Sequence, residues 1–283
     1  MYCLRAYRLG ALTCSALNAA VMPPPASNMA VARFRPPSPC DVTPDKKPCF
    51  DMTNVRVERA NQCHSNMIRL FLYTHCWPRE PSVVGLWMSS DSPYLDILTD
   101  KYSNSGDRFL AFEQLDRTRE SRLIGVCVAN KLFPWMVAEL EEWANFTYCK
   151  PDRTRMYFIA HCIKNADLIR KYNLEYIYDV EVLCTDASVA ARGVGKRLLD
   201  VTLAHADDLG YPLAQVIAVS HYAAKICEKC GMKREWSMDY DDYVDRTGHQ
   251  VFFPRRPHLS VAVYSKFFDP TKPKPLPCKP PYL

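Results

Sequence analysis

The stretch Val180–Leu199, VEVLCTDASVAARGVGKRLL, constrains this chain more than any other. It reads as a β-strand of alternating apolar residues, then a short basic loop holding Gly193 and Gly195, then an amphipathic helix from about Gly195 to Leu209. A strand that enters a helix through such a loop aims several backbone N–H groups one way, at the positive end of the helix dipole. That makes an anion site suited to a pyrophosphate. A second strand, LAQVIAVS, and a second helix, HYAAKICEKCGM, follow and end at Gly231. Strand, phosphate loop, helix, strand, helix is a unit that can hold a nucleotide-bearing cofactor. The loop is neither a Walker motif, since GK[ST] is absent, nor a dinucleotide fingerprint, since GxGxxG is absent. Taken alone it reads equally well as a simple turn.

Charge and cysteine usage narrow the partners. The net charge of +5 is modest and partly carried by the two ends of the chain, with no arginine-rich run or aromatic–basic pattern, so no nucleic-acid partner is expected. An anionic cofactor needs only the local group Arg192, Lys196 and Arg197. The 13 cysteines are odd in number and irregular in spacing, and Cys127 and Cys184 sit inside apolar strands, so they read as reduced and buried rather than as a secreted disulfide framework. Cys227 and Cys230 form a lone CxxC with no second pair or His cluster near it in sequence, and no metal is expected. No apolar run approaches the roughly 20 residues a bilayer span needs, so no membrane partner is expected either.

The ends differ from the middle. The first fifty residues are rich in Ala, Ser and Pro, have no acidic residue before Asp41, and carry Arg5, Arg8, Arg33 and Arg35. They read as a disordered leader on a cytoplasmic protein, although the composition allows a mitochondrial transit peptide and LGALTCSALNAAVM could pass for a weak signal-peptide core. The tail from Asp269 to Leu283 is too proline-rich to pack. Between them, residues 54–268 read as one domain whose apolar content is ample for a core. NVRVERA predicts a first strand, and SNMIRLFLYTHCW a helix with Ser65 as N-cap, ended by Trp77-Pro78. Residues 80–103 predict short helices and loop, and RFLAFEQLDR with SRLIGVCVANKL a hairpin. PWMVAELEEWANF and the segment around MYFIAHCIKNADLIRKYN predict helices inserted before the central strand, and WSMDYDDYV and HLSVAVYSKFF the last two strands.

The whole span Tyr176–Met232 resembles the acetyl-CoA-binding core of the GNAT N-acetyltransferase superfamily, in which a strand splays from its neighbour and the following loop grips the pyrophosphate. SHYAAKICEKCGM resembles that superfamily's S/N-x-x-A…EK-x-G-F element, with Met232 in place of the usual Phe. Within the superfamily the chain is similar to the invertebrate arylalkylamine N-acetyltransferases. The similarity rests on Ser220-His221-Tyr222 ahead of EK-x-G, on THCWPREPSVVGL, which resembles the family's D-E-P-L segment, and on the strand LSVAVYSKFF. The implied fold is α/β: a mixed central sheet with a splayed acetyl-CoA-binding strand, flanked by helices. The implied cosubstrate is acetyl-CoA, the partner a small-molecule amine, and the chain is expected to act as a monomer.

The resemblance also implies cofactor contacts. They are backbone groups near Leu183, Cys184 and Thr185, the loop residues Ser188, Ala191, Arg192, Gly193, Val194, Gly195 and Lys196, and Ser220, Ala224 and Cys227 from the second helix. The loop departs from the superfamily pattern Q/R-x-x-G-x-G/A. Counted from Asp186 the pattern falls on Ser188, Ala191 and Gly193, and shifted by two on Ala190, Gly193 and Gly195; neither register has the leading Arg or Gln. Ala at one glycine position is tolerable if its φ stays negative, and weakened CoA binding is expected. Two serines that the insect enzymes use beside their base fall on Val219 and Ala223, and Cys227 stands where many members have Tyr.

An ammonium ion cannot attack a thioester, so a base must take the amine's proton. The resemblance assigns this role to Glu80, with burial expected to raise its pKa; without the resemblance, Glu80 beside Arg79 reads as an exposed loop residue. The second candidate is Glu181, with Asp179: alternation along IYDVEVLC puts both carboxylates on one face of the central strand, facing either a bound amine or a structural Lys or Arg. His221 reads as a helix-capping or packing residue or as a proton relay, and Cys227 as a buried inert thiol or as an acid toward departing CoA. Trp77, Trp87 and Tyr94 could line an amine pocket or simply the core. The resulting expectation is acetyl transfer from acetyl-CoA to an arylalkylamine such as dopamine, tyramine, tryptamine or serotonin, by direct attack on the thioester. The alternatives are a polyamine or amino-acid acceptor, or a CoA-binding module without catalysis.

Overall fold

The computed structural model describes residues 50–114 and 120–268; the expectations for a leader and for the tail from Asp269 concern residues outside these. Seven strands form one sheet in the order β1 (Val55–Arg59), β2 (Asp107–Gln114), β3 (Ser121–Leu132), β4 (Ile177–Thr185), β5 (Leu213–Ala218), β7 (Ser260–Phe267), β6 (Lys233–Asp239). Only β4 and β5 run parallel; every other pairing is antiparallel. The sheet is therefore mixed, as expected.

Helices cover both faces. On one, α7 (Val194–Asp208) and α8 (His221–Lys229) bury Leu198, Leu199, Leu203 and Cys227 against Phe109, Ala129, Tyr178 and Val180 of the strands. Gly125 of β3 lets α7 lie close, because a Cβ there would come within 2.7 Å of Leu198 Cδ1. On the other face, α1 (Ser65–Phe71) and α3 (Pro93–Asn104) pack Ile68, Phe71 and Leu95 onto Leu110, Val126 and Val182. Further along that face, α5 (Lys150–Ala166) sets Phe158 and Cys162 against Ile177, Leu213 and Val263. α4 (Met136–Phe146) packs on α5, and two single turns, α2 (Pro81–Val84) and α6 (Leu168–Lys171), complete the layer.

The first helix starts earlier than its sequence suggests. Asn61, not Ser65, is the cap: its side chain accepts from Cys63 N at 3.0 Å, while the His64 ring accepts from Asn61 N at 3.1 Å. That reciprocal pair satisfies two orphan donors at once and opens a 3₁₀ turn, Gln62–His64, that leads into α1. The chain then passes through a π-helical turn, Leu72–Cys76, and a 3₁₀ turn, Trp77–Arg79, before reaching Glu80.

Candidate active site

Two strands part at the centre of the sheet. β4 pairs with β5 only over Tyr178–Val180, although both continue further. The cause is a bulge: Val128 and Ala129 of β3 oppose Val182 and Val180, so Glu181 is an extra residue on β4. The bulge bends β4 and reverses its facing. Tyr178 and Val180 point to the α7/α8 side, while Val182 and Cys184 point to the α1/α3 side. Beyond it β4 stays on β3, and β5 stays on β7 at Ile217↔Val263 and Ala218↔Ala262. Asp186 N donates to Ile124 O at 2.9 Å, in step with the pair Cys184↔Val126. By antiparallel alternation the N–H and C=O of Leu183 and Thr185 then face the opening. Arg79 reaches its edge, where Nη2 donates to Thr185 O and Nε to His75 O at 2.7 Å.

The loop after β4 closes one end of this opening. Ala191 has φ 61° and Gly193 has φ 91°, two left-handed residues on the register Ser188–Ala191–Gly193. The expectation that the alanine keeps a negative φ is overturned: the loop must double back into α7, and Ala191 takes the conformation its glycine counterpart would take without strain. A left-handed L-residue costs about 1–2 kcal/mol. The amides of Ser188, Val189, Ala190 and Arg192 are spent inside the loop, on Asp186, Asp186, Ala187 and Val189 in turn. The first-turn N–H groups of α7, at Val194, Gly195 and Lys196, remain to meet an anion. Burial opposes the charge of Asp186, but bonds from Ser188 and the neighbouring His75 and Arg122 side chains hold its carboxyl below the usual range.

Ala191→Gly is therefore expected to leave stability unchanged or raise it by up to about 1 kcal/mol. Relief of the left-handed strain outweighs the roughly 0.4–1 kcal/mol of extra unfolded-state entropy that glycine brings. Urea unfolding measures this; a loss beyond about 0.5 kcal/mol would contradict the strain argument.

A buried polar seam runs along the α1/α3 side of the opening. Glu80 accepts from Arg155 Nη2 at 2.8 Å and from Ser82 Oγ, and the Arg155 side chain is only 7% exposed. Burial works against the Arg155 charge, yet Glu80, Tyr94 and Tyr102 raise its pKa. The guanidinium also lies 5.6 Å from the Tyr94 ring centroid and 5.8 Å from that of Trp77. Beyond Tyr102, Glu181 accepts from Lys101 Nζ at 2.8 and 2.9 Å and from Asn130 Nδ2 at 3.0 Å. Asp179 follows, held by Gln215 Nε2 at 3.2 Å; burial, and then the neighbouring Glu181, push its carboxyl up to about 7. Asp179 and Glu181 thus share one face and one field with Lys101, as strand alternation predicts; the bulge breaks the alternation only after Glu181, where Val182 turns to the same side.

No protein-family model matches the chain. Solved structures do. A mosquito arylalkylamine N-acetyltransferase-like 5b superposes with a TM-score of 0.69 at 22% identity, over 76% of this chain and 100% of that one. A Drosophila melanogaster polyamine N-acetyltransferase, described as forming N-acetylagmatine, gives 0.66 at 22% over the same shares. Arylalkylamine N-acetyltransferase 2 from Aedes aegypti gives 0.66 at 17%, again over 76% and 100%.

The fold is the GNAT fold. Identities this low speak for architecture alone.

On the GNAT frame the expected residues separate into groups. Leu183, Thr185, Gly193, Val194 and Lys196 gather along the opening and at the start of α7, with Arg192 on the exposed loop stacked over Phe50 at 5.4 Å. Gly195 is buried instead, since a Cβ there would meet Ile226 Cδ1 at 2.8 Å and Thr185 Cγ2 at 3.6 Å; it is a packing glycine. Ser188 turns its amide to Asp186 and its hydroxyl toward Arg122. Ser220 caps α8, accepting from Ala223 N at 3.1 Å, and Ala224 lies in the helix's first turn. Cys227 was expected beside the cofactor, but it is fully buried among the apolar residues under α7 and α8, and burial pushes its thiol up. Its side chain has no surface to offer a ligand.

Of the aromatic candidates, Trp77 is core, donating to Thr99 Oγ1 at 2.8 Å, Tyr94 lies against Arg155, and Trp87 is 81% exposed. His221 gives its backbone N–H to His258 Nδ1 at 3.2 Å. Arg155, Lys101 and Asn130 are not marked out by the sequence, and Arg79 reads there only as the exposed neighbour of Glu80. Arg155 had left a trace there: it lies on the same stripe of α5 as Phe158, Cys162 and Ala166, and a charge on an apolar stripe needs a partner. Among the described residues no helix is long and apolar enough to cross a membrane, and no cluster of three or more His, Cys, Asp or Glu could hold a metal.

Proposed function

We propose that this chain transfers an acetyl group from acetyl-CoA to the primary amine of an arylalkylamine. One observation supports this above all: β4 leaves β5 at the Glu181 bulge, and the opening this creates runs from the peptide edges of Leu183 and Thr185, the latter's carbonyl held by Arg79, to the N-terminus of α7. Acetyl-CoA supplies an activated thioester. The amides of Val194–Lys196 would take its pyrophosphate, and the N–H groups of Leu183 and Thr185 would hold the thioester carbonyl and the negative charge that develops on it. Glu80, at the other side of the opening, would receive the amine's proton directly or through water, held in place by Arg155 and Ser82.

The seam also bears on the amine. Glu80 is tied to Arg155, Glu181 is tied to Lys101, and Asp179 keeps its proton up to about pH 7. Neither Glu80 nor Glu181 is left uncompensated for a second cationic group. That favours a monoamine over a polyamine. A panel of tyramine, dopamine, tryptamine, agmatine and spermidine, with thiol release from acetyl-CoA as readout, tests this. The arylalkylamines are expected to exceed the polyamines at least tenfold in kcat/KM. A preference for agmatine would overturn the amine class, and a protein that binds CoA but turns over none of them would overturn catalysis.

A further inference from the structure

One pair of thiols stands apart from the rest. Cys76, half-buried at the end of the π-helical turn, packs into the apolar cluster that contains Cys184 of β4, and that turn lies in direct contact with the strand. Arg79 Nη2 lies 3.7 Å from Cys184 Sγ. The neighbouring Cys76 thiol and the charge of Arg79 hold the Cys184 thiol below its ordinary value despite burial, while Cys184 and burial raise Cys76. The other thiols buried among apolar residues behave oppositely: burial raises Cys162 and Cys227, and pushes Cys127 and Cys230 up to about 12. A polarised pair, one sulfur inclined to be thiolate and the other to keep its proton, is the arrangement in which peroxide selects one partner and the second resolves it.

We propose that Cys76 and Cys184 form a peroxide-driven disulfide that pins the Glu80 segment to the strand lining the opening. The Cys184 thiolate attacks a peroxide oxygen, the O–O bond breaks, and the departing hydroxide takes up the proton that the Cys184 thiol had shed, giving a sulfenic acid and water. The Cys76 sulfur then attacks that sulfur, the S–O bond breaks, and the Cys76 proton and the departing oxygen leave as water. Two thiols are oxidised by two electrons, and one peroxide is reduced to two waters. The position of the link gives it a consequence. Glu80 N donates to Cys76 O at 3.0 Å, so a bond from Cys76 to β4 fixes the backbone that presents Glu80. The loss of transfer that follows rests on the function proposed above; the disulfide itself does not.

The test treats the reduced, purified full chain with hydrogen peroxide, blocks the remaining thiols, and maps the peptides by mass. A Cys76–Cys184 peptide lighter by two hydrogens is expected, forming at least tenfold faster than any modification of Cys127, Cys162 or Cys227. Acetyl transfer should fall more than tenfold and return with dithiothreitol. In Cys76→Ala the reaction should stop at a dimedone-reactive Cys184, and in Arg79→Gln it should slow severalfold. Over-oxidation of Cys184 without the cross-link, or oxidation no faster than that of the apolar cysteines, would overturn the site. A cross-linked protein with undiminished transfer would overturn the inhibition. A cross-link in a chain that shows no transfer even when reduced would leave the site standing and count against the proposed function alone.

Discussion

Glu80→Gln is expected to lower the turnover number by about a hundredfold or more, with the Michaelis constant for acetyl-CoA near its native value. The amide keeps the size of the side chain and can still accept from Ser82, but it cannot take a proton from the amine. Arg155 complicates the reading. Its guanidinium is buried, Glu80 is its ion-pair partner, and stripping one partner from a buried pair costs about 3–5 kcal/mol. The single variant should therefore also unfold at a lower temperature. Glu80→Gln combined with Arg155→Met separates the two roles: stability should largely return and turnover should not. Glu181→Gln, measured in parallel, ranks the second carboxylate, which Lys101 and Asn130 already hold. Native turnover in Glu80→Gln with loss in Glu181→Gln would move the base to the central strand.

Gly193→Asp should raise the Michaelis constant for acetyl-CoA well over tenfold while the protein stays folded. No heavy atom lies within 4 Å of a Cβ built at Gly193, so the side chain enters open space and the strain is only that of φ 91°. Aspartate tolerates the left-handed region better than most residues, and a negative charge at the start of α7 suits the helix dipole. That same charge would sit where the pyrophosphate is proposed to bind. Gly193→Asn controls for the backbone: it has the same shape and φ but no charge, and should cost several times less in the Michaelis constant. Unchanged acetyl-CoA dependence in a folded Gly193→Asp protein would falsify the cofactor assignment.

Local physics explains what could be read from the one-dimensional chain. Alternating apolar residues in IYDVEVLC make a strand whatever lies elsewhere, Gly193 marks the left-handed step before α7, and the 3.6-residue spacing of Val194, Leu198, Leu199 and Leu203 makes that helix and its buried face. These depend on neighbours a few positions away, so strand, loop and helix, and with them the layout of the fold, were determined by the sequence alone. The bulge at Glu181 was not, because it shows only when β3 lies alongside β4 and one residue is left over. Nor was the left-handed φ of Ala191, which the closing loop imposes on a residue that would not choose it. The partners in the seam meet across long stretches of chain: Glu80 and Arg155 are 75 residues apart, Lys101 and Glu181 are 80, and Arg79 and Cys184 are 105. No local pattern encodes such pairs. A charged residue on a buried stripe announces that a partner must exist, because an unpaired charge cannot be buried. Which residue answers it is decided only when packing brings the two elements together.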